Sequence, residues 1–158
     1  MGDYSGVNGV KYETTTYERD PYTGLVLKET KKRGTDEEDQ VIVSTDGYSY
    51  NIYGQVTSHW TVAYNSTDTL VTTYQYNTKG QLYKEYNPLG QYKTYSYNTY
   101  TGALASIVEF DGSTTSYSYD NMLRKTGCSG ASKVVTTTWS TANYGGSVYS
   151  VKVTETDK

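Results

Sequence analysis

The sequence predicts an all-β chain, an antiparallel meander of β-hairpin repeats forming a curled or extended tyrosine-rich sheet. Three observations carry this. One phrase recurs as Tyr-Gln-Tyr-Asn at 74–77, Tyr-Ser-Tyr-Asn at 95–98 and Tyr-Ser-Tyr-Asp at 117–120, a period of 21 and then 22 residues. Each phrase alternates aromatic and polar side chains, which places both rings on one face of a strand. Each is followed by a short polar loop, and strands this close together join only through tight antiparallel turns.

From the amino end, residues 1–6 are too polar for a signal peptide, and no later run approaches the ~20 apolar residues of a transmembrane helix. The segment 16–26 aligns without gaps on 94–104, with Tyr-Thr-Gly in register, and is the first copy. Residues 31–39 hold three cations and then four carboxylates, a solvated hairpin tip or longer loop; a metal site built from the acids is the alternative. Val41-Ile42-Val43 is a short strand, Asp46-Gly47 turns, and Tyr48-Ser49-Tyr50-Asn51 is a further copy closed by Gly54. Val56, Trp60, Val62 and Tyr64 alternate along the strand after it.

In the clearest period, Gly102 supplies positive φ after Asn98, and Leu104, Ser106 and Val108 share a face opposite Ala105 and Ile107. Asp111-Gly112 is a hairpin signal. After Asp120 the pattern degrades, because Leu123 stands where glycine is expected, and Cys128 falls in a loop. The segment 138–148 aligns again on 94–104, with Trp139 at the position of Tyr95. The whole of 1–158 is therefore one repeat domain without a linker, with copies near 12–34, 48–70, 74–92, 94–113, 115–135 and 138–154.

Composition fits a sheet whose core is made of rings. There are 20 Tyr against one Phe and two Trp, and rings bury large areas while their hydroxyls reach an edge. Tyr50, Tyr76, Tyr97, Tyr119 and Trp139 are the expected repeat core, and Gly24, Gly54, Gly80, Gly90, Gly102, Gly112 and Gly146 the turn residues. The opposite face, rich in Thr, Ser and Gln, is a wet one. A net charge of −3 lacks the basic stripe of a nucleic-acid binder.

Chemistry is sparse. His59 is the only histidine and Cys128 the only thiol, so no internal disulfide and no cysteine-based metal site can form. There is no phosphate loop and no HExxH, and no catalytic, metal or cofactor residue is expected. His59 reads as a solvent-facing strand residue. Two non-enzymatic roles remain. One is a structural module; the other is a glycan or partner surface on which Tyr48, Tyr74 and Tyr95 stack against sugars.

The repeats resemble the RHS/YD-repeat family. Tyr76-Asn77-Thr78-Lys79-Gly80-Gln81-Leu82 is similar to the family's YDxxGRL core, and Tyr119-Asp120-Asn121 is similar to its start. Asn51, Asn77 and Asn98 replace the aspartate, Gln55 and Gln81 stand where arginine is usual, and Gly102 is displaced by one residue. The resemblance implies an extracellular or cell-surface bacterial protein in which hairpins wind into a long sheet, closed around a toxin in the large members. It also implies a C-terminal core and toxin domain, which this chain is expected to lack. With free edges at the first and last copies, the expected partners are a second copy bound head to tail or neighbouring repeats. No nucleic acid and no membrane insertion are expected.

Overall fold

A computed structural model describes residues 12–130, 133–141 and 148–157. The side chain of Trp139 and the whole of Gly146 lie outside the described residues. Twelve strands follow one another: β1 (Tyr12–Arg19), β2 (Val26–Gly34), β3 (Val41–Tyr50), β4 (Val56–Ala63), β5 (Leu70–Tyr76), β6 (Leu82–Tyr86), β7 (Tyr92–Tyr97), β8 (Leu104–Val108), β9 (Thr114–Tyr119), β10 (Lys125–Ser129), β11 (Lys133–Thr141) and β12 (Val148–Asp157). They form one antiparallel sheet in which sequence order is strand order. The fold is the meander that the repeat predicts. By compactness it divides into two units, Met1–Tyr74 with Asn87–Leu89, and Gln75–Tyr86 with Gly90–Lys158.

In the first unit, β1 is exposed along its whole length and is held to β2 partly by charge. Glu13 stands opposite Arg33 and Glu18 opposite Lys28, and both pairs close, at 3.3 and 3.0 Å. Such exposed pairs contribute only about 0.2–1 kcal/mol each. The acidic stretch after β2 is a loop folded on itself. The Asp39 carboxylate accepts from the Thr35 and Asp36 N–H groups, and Asp36 accepts from those of Glu38 and Asp39. Two of the four acids are thus committed to their own backbone, and no cluster suited to a metal occurs among the described residues.

Asp46-Gly47 corrects the sequence reading. It is no turn but the middle of β3, which runs ten residues rather than three. The glycine is there for packing, since a Cβ at Gly47 would occupy the space of the Trp60 indole on β4, its register partner. A two-residue turn signal cannot register a ring that arrives 13 residues later.

In the second unit the register defines two faces. Tyr95 stands opposite Ile107, Ile107 opposite Thr115, and Tyr117 opposite Cys128. Residues directly opposite share a face. Ser96, Ser106, Ser116 and Ser129 are likewise opposite one another in turn, a hydroxyl ladder on the reverse face. Cys128 lies in β10, not in a loop, because a turn at Asp120 forms without glycine and lets the strand begin at Lys125.

The core differs from expectation. No hydrophobic side chain among the described residues is fully buried. Tyr50, Tyr76, Tyr97 and Tyr119 are half-buried.

Candidate functional site

The feature that repeats most faithfully is a set of hairpin turns organised by one side chain each. In the first unit, Asn51 Oδ1 accepts from the N–H groups of Tyr53 and Gln55, while Gly54 N–H closes the turn onto the Asn51 carbonyl. Asp20 does the same for Tyr22 and Thr23, with Gly24 closing. In the second unit Asn77 binds Lys79 and Gln81, Asn98 binds Tyr100 and Thr101, and Asp120 binds Met122 and Arg124. An Asx side chain mimicking a backbone turn is the reason this residue type ends each phrase.

The chain must then reach a left-handed conformation, where glycine has no Cβ to clash. Gly54, Gly80, Gly102 and Gly112 have φ of 77°, 76°, 73° and 82°, and Gly24 and Gly90 have 73° and 76°. Leu123 reaches φ 61° in the corresponding place without that freedom. Asp111-Gly112 closes as a three-residue loop, with Gly112 N–H on the Glu109 carbonyl and Glu109 N–H on that of Ser113.

The turns set the tyrosines. Tyr50, last in β3, donates its hydroxyl to the carbonyl of Val26, first in β2, at 2.6 Å. Tyr97, last in β7, donates to Leu82, first in β6, at 2.7 Å. Burial pushes the Tyr97 hydroxyl above its ordinary range, and for Tyr95 burial and then the Glu85 carboxylate that its hydroxyl binds do the same. Tyr48 stacks on His59 at 4.9 Å. Tyr48, Tyr74 and Tyr95 are each half-buried, on the same face of their strand as the second ring of their phrase.

Two corresponding clefts follow in the second unit. One, of about 210 Å³, is lined by Asn77, Lys79, Tyr95, Tyr97 and Asn98. The next, of about 250 Å³, is lined by Asn98, Tyr117, Tyr119, Asp120 and Leu123. Lys79 Nζ donates to the Thr99 carbonyl and Gln81 Nε2 to that of Gly102, so neighbouring turns are tied side by side.

Sequence reasoning missed two groups. The residue two after each Asx is thrown outward: Tyr22 is 95% exposed, Tyr53 80%, Tyr100 96% and Met122 76%. Their spacing from the Asx is the signal that finds them. The second group is a cluster on β3 and β4. Asp46 Oδ1 binds His59 Nε2 at 3.1 Å and accepts from the Thr61 hydroxyl, so His59 is half-buried and partnered rather than solvent-facing. Register pairs Asp46 with Thr61 and Tyr48 with His59, a coincidence invisible before the strands are aligned. Thr61 Oγ1 also lies 3.3 Å from His59 Nε2, so ring nitrogen, hydroxyl and carboxylate form one hydrogen-bonded cluster.

No protein-family model matches the chain, and none of the curated proteins does. Solved structures match its fold. A chain in the pore of the Photorhabdus luminescens Tc holotoxin is 17% identical over 79% of this chain, with a TM-score of 0.53. A chain of TcdB2–TccC3 without its hypervariable C-terminal region is 16% identical over 79% of this chain, again with a TM-score of 0.53. This chain spans only 8% of the length of either. What the likeness shows is a shared fold, an antiparallel hairpin sheet of the kind built into Tc toxin chains.

Proposed function

We propose that this is a non-enzymatic structural module of a secreted or cell-surface bacterial protein, a run of YD-like hairpins that adds strands to a larger sheet. The observation that carries the reading is the identity of strand order with sequence order, with an Asx turn of one design recurring at Asp20, Asn51, Asn77, Asn98 and Asp120. Such an array is quasi-one-dimensional, so any copy can be followed by another. The fold likeness to Tc toxin chains and the YDxxGRL-like phrases support the same reading, including a role as part of an encapsulating shell.

The sheet continues through its end strands. β1 and β12 stand at the two ends of the strand order, and an end strand offers N–H and C=O groups to another chain. β12 carries Val148, Val151 and Val153, and β1 carries three consecutive threonines, all strand-forming residues. Because both ends share the repeat's register, the last strand of one molecule continues onto the first of the next, head to tail.

Light scattering and negative-stain microscopy of the purified chain test this, beside a Val151→Pro, Val153→Pro variant. Prolines there remove donors from the edge or unpair β12, and either abolishes the contact. The expected result is extended assembly by the wild type and none by the variant. A folded wild type that stays monomeric at high concentration overturns the reading.

A further inference from the structure

We propose that the tyrosine-bearing face of the second unit is covered by the same face of a second copy of this chain, giving a two-layered sandwich. The exposed area calls for a cover. The chain exposes 11510 Å², whereas a compact chain of 17.7 kDa exposes about 8,000 Å². The excess of roughly 3,500 Å², spread over the whole chain, leaves room for the roughly 1,000–2,500 Å² that each partner of an obligate homodimer covers. With no fully buried hydrophobic side chain among the described residues, one layer of this sheet has little to offset its ordering entropy.

The tyrosine face is the one suited to being covered. Tyr95, Tyr97, Tyr117 and Tyr119 are half-buried, with Ile107 between the phrases. Its charged groups each have a partner: Lys93 pairs with Glu109 at 2.8 Å, Glu85 accepts from the Tyr95 hydroxyl, and the Lys125 ammonium lies 4.8 Å from the Tyr117 ring centroid. Each of these groups keeps its partner under a cover, which lowers the cost of burying it. The reverse face, with its ladder of Ser96, Ser106, Ser116 and Ser129, would bury hydroxyls that need partners.

Charge balance selects the occupant. An isologous contact requires a patch that complements itself. Lys93 and Lys125 balance Glu85 and Glu109 here, so two copies of the face meet without net repulsion. Aligned sheets pack about 10 Å apart with their inner side chains interdigitated, a spacing that tyrosine rings fill. This contact uses a face, not a strand edge, and is independent of end-to-end growth.

The test is light scattering from nanomolar to high micromolar concentration on three chains: wild type, Ile107→Lys on the tyrosine face and Ser116→Lys on the hydroxyl face. Below the concentration at which end-to-end growth sets in, wild type and Ser116→Lys are expected to double in mass, and Ile107→Lys to remain a folded monomer. Should Ile107→Lys fail to fold, maleimide labelling of Cys128 in the wild type decides. Cys128 lies on the tyrosine face opposite Tyr117, and its labelling rate is expected to fall at least about tenfold as the dimer forms, the factor that about 1.4 kcal/mol of protection gives. A concentration-independent labelling rate overturns the proposal, as does a folded wild-type monomer throughout. A mass increase lost in Ser116→Lys overturns it too. So does a mass that rises by open-ended growth alone, with no doubling step at low concentration in wild type or Ile107→Lys, which would leave only edge growth standing.

Discussion

Arg124 Nε donates to Oδ2 of Asp120 at 2.6 Å, and the same two places in earlier turns hold a neutral pair. Asn51 Nδ2 donates to Gln55 Oε1 at 2.9 Å, and Asn77 Nδ2 to Gln81 Oε1 at 3.0 Å. The departures Asn for Asp and Gln for Arg are thus one change made at both ends of a hydrogen bond. With Asp the second residue must donate; with Asn it must accept.

The first prediction follows from that pairing. Gln81→Arg faces a guanidinium with the Asn77 amide nitrogen and loses the bond to the Gly102 carbonyl. It should cost about 1–2 kcal/mol, and adding Asn77→Asp should recover about 1 kcal/mol of it. Urea titrations of the two singles and the double measure the coupling. Simple additivity would count against the pairing.

Leu123 makes the second prediction. Its N–H closes onto the Asp120 carbonyl at 2.9 Å, just as Gly54 and Gly80 close onto Asn51 and Asn77, yet it carries a Cβ at φ 61°. Leu123→Gly should relieve about 1 kcal/mol of left-handed strain, raising the melting temperature by roughly 2–4 °C. Gly112→Val should do the reverse, at φ 82°. Thermal melts compare the two.

Legibility in the sequence followed the range of the physics. The Asx turn and its glycine are fixed by residues within five positions, so Tyr-x-Tyr-Asn or Asp located the turns after β3, β5, β7 and β9. Asp46-Gly47 matched a hairpin signal equally well, and there a distant ring decided, because Trp60 needs a residue without a side chain beneath it. The face on which His59 meets Asp46 depended on register, which no local pattern encodes. Burial was the least legible quantity. Alternating tyrosines announce a face, and they do not say whether a second layer lies on it.

A third prediction tests the seat of that indole. Gly47→Ala should displace Trp60 and cost about 1–3 kcal/mol as an overpacking change. Tryptophan fluorescence and a urea midpoint check it; an unshifted spectrum would mean that the ring does not lie across the glycine.

The fourth prediction concerns acid. The carboxyls of Asp20, Asp39 and Asp111 sit below their ordinary 3.8, held by the Thr23 N–H, the Thr35 hydroxyl and the Ser113 hydroxyl respectively. For Asp120, burial pushes upward, but the N–H and guanidinium of Arg124 outweigh it and the net direction is down. A lowered carboxyl adds stability that is complete above its unfolded value and lost as pH falls through the folded one. Melting temperature should therefore hold from neutral pH to about 4–5 and decline below about 4. Asp111→Asn, which keeps an acceptor for the Ser113 N–H, should shallow the decline.

The central claim is that the sheet passes from one molecule to the next through β1 and β12. Residue-resolved hydrogen exchange on the β1 amides, at low and high protein concentration, tests it most directly. In an antiparallel strand, alternate N–H groups face the neighbour and the rest face outward. The account predicts that the outward set in Tyr12–Arg19 gains protection with concentration, in step with the outward set of β12. Outward amides that exchange freely at every concentration, while those facing β2 stay protected, would contradict it.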